Sequence, residues 1–283
     1  MDRTVGIIGA GTMGGGIAQA AALAGFDVLL YDSSADALRA SMERIRGDLR
    51  ASVQKGKATP SDATGALSRI RPRSAFSDMG AADLVIEAAP EDLEVKKEIF
   101  RALDEIVAPR TILATNTSSL SITSIGSLTK TPESVVGMHF FNPPARMKLV
   151  EIVRGSRTSE ETVRTVREVA LAMGKTPVFC SDTPGFIVNR VARPFYGEAL
   201  RVLGEGTATA EEIDRIVRLS GGFRMGPFEL MDLIGIDVNY AVTKSVYEQF
   251  FQEPRFRPHP IQRHMVEAGT LGRKTGEGFY RYE

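Results

Sequence analysis

The chain has 283 residues, 43% apolar and 25% charged, a composition and length that suit one large globular domain and a smaller one. Its formal net charge is zero, so no global field attracts nucleic acid or a membrane, and a phosphate-bearing ligand needs a local basic patch. The one cysteine, Cys180, excludes an internal disulfide and favours a cytoplasmic protein. We expect neither a signal peptide nor a membrane-spanning segment.

The first elements predict a dinucleotide-binding unit. A strand at 5–8 is followed by a glycine-rich turn, an alanine-rich helix and a second strand at 28–31. The glycines at positions 9, 11 and 14 would allow a tight turn, a close approach of the backbone to a pyrophosphate, and close helix packing. The pyrophosphate would lie on the helix N-terminus. The predicted cofactor loop consists of Gly9, Gly11, Thr12, Met13 and Gly14.

Asp32 ends the second strand and is placed to accept hydrogen bonds from the hydroxyls of an adenosine ribose. It would repel a 2′-phosphate, so the sequence predicts NAD as the cofactor in preference to NADP. The alternative is a glycine-rich turn in a flavodoxin-like sheet that binds no dinucleotide.

Residues 35–57 read as one long polar helix with a basic face. Six cations against two anions, Glu43 and Asp48, give residues 39–57 a local charge of +4: Arg39, Arg44, Arg46, Arg50, Lys55 and Lys57. A solvated helix face is the commoner cause of such a run. The sharper interpretation is a helical arm that meets an anionic substrate such as a coenzyme A thioester.

Two further strands, at 82–88 and 111–115, lead into polar residues. A helix is predicted to start near Pro90, and its Glu91 and Lys96 could reach toward the cofactor, although an exposed ion-pair face explains them equally well. The second strand is followed by Asn116, Thr117, Ser118 and Ser119. One polar residue suffices to cap a helix, so four in succession favour a ligand site that includes Asn116 and Ser118.

The stretch 135–153 carries the strongest candidate for chemistry. An apolar strand ends at His139, a Pro-Pro turn follows, and a second strand that could lie alongside carries Glu151. A carboxylate beside an imidazole fixes its tautomer and stabilises the imidazolium, so the ring can take and return a proton near neutral pH. The alternative is a histidine that merely bonds a backbone carbonyl at a strand end.

After a helix at 159–173 and a last strand at 175–179, the turn 182–185 marks a domain boundary. Beyond it the pattern is helical throughout. The predicted fold class is therefore α/β: a Rossmann-type, doubly wound and mostly parallel sheet at 1–184, with a smaller all-α domain at 185–283. Asn189, in the first helix of the second domain, is either a substrate contact or an amide that caps or joins helices.

Several motifs together resemble the 3-hydroxyacyl-CoA dehydrogenase family, in particular its short, single-function members, and the resemblance covers nearly the whole chain. The matching segments are residues 9–14, 116–120, 137–144, 150–153, 185–190, 226–232 and 272–280. The histidine motif (Gly-Met-His-Phe-Phe-Asn-Pro-Pro), with Glu151 and Asn189 at matching spacings, is its most specific part.

The resemblance implies roles for individual residues. Ser118 and Asn189 would contact the 3-oxygen of the substrate, His139 would be the base, Glu151 its orienting partner, and Asn142 would lie near the site. It also implies that the basic arm, which includes Lys55, meets coenzyme A, and that the helical domain forms a homodimer interface and closes over the acyl group.

The predicted function is NAD-dependent interconversion of an (S)-3-hydroxyacyl-CoA, with a short acyl chain such as 3-hydroxybutyryl, and the 3-ketoacyl-CoA. No metal site is predicted. One alternative is a related β-hydroxyacid dehydrogenase that acts on a free acid, although those enzymes use a lysine on the helix where this chain has Asn189. The other is a non-enzymatic dinucleotide-binding protein. Such a protein would be expected to lack a complete proton relay, whereas this sequence has both His139 and Glu151.

Overall fold

The structure, a computed structural model, describes residues 3–282. The chain divides into two compact units, Met1–Thr183 and Pro184–Glu283. Each unit has its own buried apolar cluster, and each is described below by itself.

An eight-stranded sheet, in the order β3-β2-β1-β4-β5-β6-β7-β8, forms the centre of the first unit. All neighbouring strands are parallel except β6 and β7, which are antiparallel. The strands are β1 (Thr4–Ile8), β2 (Asp27–Tyr31), β3 (Ile70–Arg73), β4 (Leu84–Glu87), β5 (Ile112–Thr115), β6 (Val135–Phe140), β7 (Leu149–Arg154) and β8 (Thr176–Ser181). The predicted fold class is confirmed. Because β1 and β4 to β6 are parallel, their carboxyl ends lie along one edge of the sheet, where such folds bind ligands.

Six helices connect these strands: α1 (Thr12–Leu23), α2 (Ala35–Gln54), α3 (Pro60–Arg69), α4 (Leu93–Ile106), α5 (Ile122–Gly126) and α6 (Glu160–Ala172). The predicted single helix at 35–57 is too long. It ends at Gln54, since Gly56 takes a positive φ of 65°, a backbone conformation that ends helices. A new helix begins at Pro60, where Thr59 and Asp62 form a reciprocal capping box.

Helix α4 begins three residues after Pro90, so the prediction that Pro90 lies near its first turn is wrong. The Asp92 side chain accepts hydrogen bonds from the N–H groups of Glu94 and Val95. This cap fixes the helix start, and Pro90 stays in the loop that leaves β4.

Helix α2 has two distinct faces. Leu38, Met42, Ile45 and Leu49 recur at helical spacing and are buried in the core of the first unit. The six basic residues predicted for this stretch are all exposed. The burial of one face holds the helix on the sheet, so the charged face is presented to solvent.

The second unit is helical, as predicted. Its helices are α7 (Val188–Gly204), α8 (Ala210–Gly221), α9 (Pro227–Ile234), α10 (Ile236–Gln249) and α11 (Pro260–Ala268); the last was not predicted. Tyr196, Leu200, Phe228 and Met231 lie in its core. Within residues 3–282 we find no helix with the length and apolar character needed to cross a membrane.

Candidate active site

His139 and Glu151 face each other across the antiparallel pair. The register places them directly opposite on β6 and β7, and His139 Nδ1 lies 2.7 Å from Glu151 Oε2. The histidine is 6% exposed and the glutamate is fully buried. The alternative, in which the histidine merely bonds a backbone carbonyl, does not describe this arrangement, because its Nδ1 is bonded to the carboxylate.

This pair can carry out proton transfer. A carboxylate acceptor at Nδ1 requires the ring proton on that nitrogen, which fixes the tautomer and makes Nε2 the basic nitrogen. The buried carboxylate also stabilises the imidazolium that forms when Nε2 takes a proton. The ring of Phe141 packs on the imidazole, with centroids 4.5 Å apart, and limits its rotation.

Ser118 lies in the loop that follows β5, held by Glu91. The carboxylate Oε1 of Glu91 accepts the Ser118 N–H at 2.7 Å, the Ser118 hydroxyl at 2.9 Å and the Thr117 hydroxyl at 2.7 Å. The sequence left two interpretations of the polar residues 116–119, helix capping and a ligand site. None of the four caps α5, because its N-cap residue is Ser121. Glu91 therefore organises the loop that presents Ser118.

Lys96 belongs to a buried polar network that the sequence did not indicate. Its Nζ donates to Glu87 Oε1 at 2.7 Å, and both side chains are at most 1% exposed. Glu87 also accepts the Ala89 N–H and the Thr115 hydroxyl, while Glu91 Oε2 lies 3.7 Å from Lys96 Nζ. The exposed ion-pair alternative is thus wrong for Lys96. The only sequence feature that pointed to Glu87 was its position as an acid at the end of an apolar strand.

The turn between β6 and β7, residues 141–148, carries Asn142, which is exposed. Lys175 holds this turn from inside, since its Nζ donates to the carbonyls of Pro144 at 2.5 Å and Met147 at 2.9 Å. Burial lowers the pKa of Lys175.

At the end of β6, Asn116 Oδ1 accepts the Phe140 N–H at 2.8 Å, so Asn116 fixes the strand that bears His139.

The glycine turn fits a dinucleotide. Gly9 has a φ of 96°, and a side chain on Gly14 would place its Cβ 1.7 Å from the Gly9 carbonyl oxygen. A Cβ on Gly11 would meet nothing within 4 Å, so a ligand can approach the backbone there. No side chain caps the start of α1, whose first turn holds Thr12, Met13 and Gly14. Such a start favours an anion.

Asp32 lies at this turn, with Oδ2 accepting the Ala10 N–H at 2.7 Å and Oδ1 the Ser34 N–H at 2.9 Å. Each carboxylate oxygen can accept a further hydrogen bond, so the residue can also bind ribose hydroxyls. Arg44 Nη2 donates to the Ala10 carbonyl at 2.9 Å and braces the same turn. Lys55 lies further along, exposed at the end of α2.

Asn189 belongs to the second unit, in the first turn of α7. It is partly exposed, and its backbone carbonyl accepts Arg193 Nε at 3.2 Å. The backbone around it is unusual, since Phe186 has a φ of 50°.

Cys180 lies on β8, and its environment suppresses thiolate formation. Burial, followed by the charges of Glu151 and Asp182, raises its pKa to about 12. Because the thiolate is the nucleophilic form, these surroundings disfavour Cys180 as a nucleophile.

We therefore expect Cys180 to react slowly with iodoacetamide in the folded protein. The shift from the ordinary value of 9.0 lowers the thiolate fraction about 10³-fold at pH 8, so the native rate should fall by a similar factor relative to the urea-unfolded chain. Intact-protein mass spectrometry measures both rates. The native rate should still rise with pH above 10, where the unfolded thiol is already ionised. Equal rates in the two states at pH 8 would contradict the assignment.

Two family models and several curated proteins match this chain. The NAD-binding domain of 3-hydroxyacyl-CoA dehydrogenase matches residues 4–183, and the C-terminal domain of the same family matches residues 185–282. A 3-hydroxyadipyl-CoA dehydrogenase from Escherichia coli is 52% identical over 98% of this chain, which spans 58% of that relative's length. A probable 3-hydroxybutyryl-CoA dehydrogenase from Deinococcus radiodurans is 45% identical, with 98% of this chain and 99% of the relative covered.

Among solved structures, the (S)-3-hydroxybutyryl-CoA dehydrogenase of Ralstonia eutropha superposes with a TM-score of 0.95 at 43% identity, covering 100% of both chains. The chain belongs to the 3-hydroxyacyl-CoA dehydrogenase family. It is an NAD-dependent oxidoreductase, so the predicted family, enzyme class and cofactor are confirmed.

Proposed function

We propose that this protein interconverts an (S)-3-hydroxyacyl-CoA with a short acyl chain and the corresponding 3-ketoacyl-CoA, with His139 as the general base. The observation that carries the proposal is the buried 2.7 Å contact between His139 Nδ1 and Glu151 Oε2. NAD, when bound, accepts the hydride from C3. The names of the relatives include four-carbon and six-carbon acyl groups, which supports a short chain.

In the oxidation direction, His139 Nε2 takes the proton of the substrate's 3-hydroxyl while C3 loses a hydride. The O–H bond breaks, and its electron pair forms the carbonyl. Glu151 keeps the ring oriented and stabilises the charge it gains. In the reverse direction the imidazolium returns the proton to the oxygen.

Ser118 and Asn189 are proposed to donate hydrogen bonds to the substrate's 3-oxygen, which stabilises charge that develops there. The bond from the Ser118 N–H to Glu91 supports this role, since it fixes the loop before substrate arrives. The hydroxyl, which donates to Glu91 in this structure, would turn its one proton to the substrate on binding.

Glu91 and Asn116 are proposed to line the cofactor side, and Asn142 to lie near the acyl group. Lys96, predicted from the sequence to reach toward the cofactor, is buried, so any effect on the cofactor would act through Glu87 and Glu91.

The exposed basic face of α2, with Lys55 at its end, is proposed to meet the phosphates of coenzyme A. The exposure of the six cations supports this proposal, as does the burial of the opposite face, which leaves the charges turned outward.

We further propose a division of labour in which residues 1–184 bind NAD and residues 185–283 bind the acyl group and form a homodimer in the cytoplasm. Exposed apolar side chains on the second unit support self-association: Ile216 is 62% exposed, Leu219 75% and Phe223 53%. Light scattering on the purified protein tests the dimer.

The function is tested by following NADH oxidation with 3-ketoacyl-CoA substrates from four to sixteen carbons. Acetoacetate without coenzyme A serves as the control. Turnover of short acyl-CoA thioesters and none of the free acid is expected. Turnover of the free acid alone would point to a β-hydroxyacid dehydrogenase, and no turnover of any thioester to a non-enzymatic dinucleotide-binding protein.

The role of Asp32 gives a separate prediction about the cofactor. Wild-type protein should use NAD well and NADP poorly. Asp32→Ala should lower kcat/KM for NAD by about 10–100-fold, the effect of losing a hydrogen bond to a charged group. Steady-state kinetics with both cofactors measures this, and Asp36→Ala, which removes an exposed acid nearby, is the control. Equal use of NADP by the wild type would show that Asp32 does not discriminate between the ribose 2′-hydroxyl of NAD and the 2′-phosphate of NADP.

A further inference from the structure

Arg44 is a cation of the basic face of α2 whose side chain reaches out of its own helix. Its Nη2 donates to the main-chain carbonyl of Ala10 at 2.9 Å, inside the glycine turn that leads from β1 to α1. Arg39 and Arg46, on the same basic face, instead pair with acids of α2 itself. Arg44 therefore contacts the predicted cofactor loop, although the sequence grouped it with the arm that would meet coenzyme A.

The packing of α2 against α1 brings Arg44 to this turn. Ser41, three residues before Arg44, is buried, and its Oγ occupies the space that a Cβ on Gly15 of α1 would need. The same Cβ would lie 3.8 Å from Arg44 Nη2. Residues three apart share one face of a helix, so Ser41 and Arg44 both face α1. The absence of a side chain on Gly15 permits this close approach.

Two consecutive peptide groups of the glycine turn are held by side chains. The Asp32 carboxylate accepts the Ala10 N–H at 2.7 Å, which fixes the peptide between Gly9 and Ala10. Arg44 holds the Ala10 carbonyl, which belongs to the next peptide, between Ala10 and Gly11. In a planar trans peptide the C=O and the N–H point in opposite directions. The bond from Arg44 therefore also sets the direction of the Gly11 N–H, which points away from the arginine.

The Gly11 N–H lies at the start of α1, where the first N–H groups have no acceptor within the helix. Gly11 is the N-cap residue, and no side chain caps this end. A Cβ on Gly11 would meet nothing within 4 Å, so a ligand can approach the backbone there. Helix starts of this kind bind phosphates. A donor that is already held in one direction binds more tightly than one that must first be ordered.

We propose that Arg44 is a positioning residue for NAD, which orients the Gly11 N–H for the pyrophosphate by holding the Ala10 carbonyl. This assigns one of the six cations of the basic face to the cofactor and leaves five for coenzyme A. The inference rests on NAD as the cofactor and does not depend on which acyl group the enzyme uses.

The first test measures binding directly in Arg44→Met. We expect the Kd for NADH, followed by its fluorescence, to rise about 3–10-fold, the range that one hydrogen bond contributes. ADP-ribose, which has the pyrophosphate but no nicotinamide, should lose affinity by a similar factor in competition with NADH. Arg167→Met, which removes an exposed cation from α6 of the same unit, is the control and should bind both ligands as the wild type does.

Two binding results would overturn the proposal. One is an unchanged Kd for NADH in Arg44→Met. The other is a loss confined to NADH while ADP-ribose binds normally, because the effect would then lie at the nicotinamide end. A merely structural arginine would give the first result, with the loss appearing only in the urea unfolding of the cofactor-free protein.

The second test separates the cofactor from coenzyme A by steady-state kinetics. In Arg44→Met the KM for NADH should rise, while kcat and the KM for a four-carbon 3-ketoacyl-CoA stay near their wild-type values. A rise in the KM for the thioester without a change for NADH would place Arg44 with coenzyme A and contradict the proposal. If the wild type bound NADH but turned over no thioester, the proposed function would fail, and the binding test would still decide the role of Arg44.

Discussion

Replacing His139 by glutamine is expected to lower kcat by about 10²–10⁴-fold, the usual contribution of a general base. Glutamine keeps the approximate volume and a hydrogen-bonding group toward Glu151, but it cannot take a proton near neutral pH. Glu151→Gln should lower kcat as well, because the neutral amide no longer stabilises the imidazolium.

Pre-steady-state and steady-state kinetics with a short 3-ketoacyl-CoA measure these effects. NADH affinity, followed by its fluorescence, should change little in either variant, since the pair lies on β6 and β7 rather than at the glycine turn. His264→Gln provides a matched control, because His264 is exposed on α11. If His139→Gln retained the wild-type kcat, the base would have to be another residue.

The second large effect is on stability. Lys96→Met should lower the free energy of unfolding by about 3–5 kcal/mol, because it leaves the Glu87 carboxylate charged and buried without its partner. Glu87 would keep only the Ala89 N–H and the Thr115 hydroxyl. The double variant Lys96→Met/Glu87→Gln removes both charges and should recover most of the loss.

Urea unfolding of the cofactor-free protein measures the change. Lys97→Met is the control, because Lys97 pairs with Glu94, whose side chain is 70% exposed, and such pairs contribute about 0–1 kcal/mol. A loss for Lys96→Met no larger than that of the control would mean that the buried pair does not stabilise the fold. A double variant as unstable as the single one would mean that the loss comes from packing, not from the unpaired charge.

The fold was predictable because hydrophobic periodicity and turn residues mark each strand and helix locally. The His139–Glu151 pair could also be predicted from the sequence, since two strands joined by a short turn pair in antiparallel fashion. The helix predicted at 35–57 was too long because the polar character of these residues hid the break that Gly56 introduces. No helix was predicted at 60–69, where α3 lies. The Pro90 prediction failed because proline and aspartate both start helices, and the Asp92 cap prevailed.

Other parts of the site depend on three-dimensional proximity that no local pattern records. Glu91 and Ser118 are 27 residues apart in sequence, and their contact requires that β4 and β5 be neighbours in the sheet. Lys96 resembles its neighbour Lys97 in the sequence, yet one is buried and the other partly exposed.

The support that Lys175 gives to the turn 141–148 has a consequence for how this family can diverge. The ammonium group donates hydrogen bonds to the main-chain carbonyls of Pro144 and Met147. Every amino acid has a main-chain carbonyl, so these bonds do not depend on the side chains there. Side chains at 145–147 can therefore change between relatives without loosening the turn, and the proton-transfer pair on the two flanking strands stays in register.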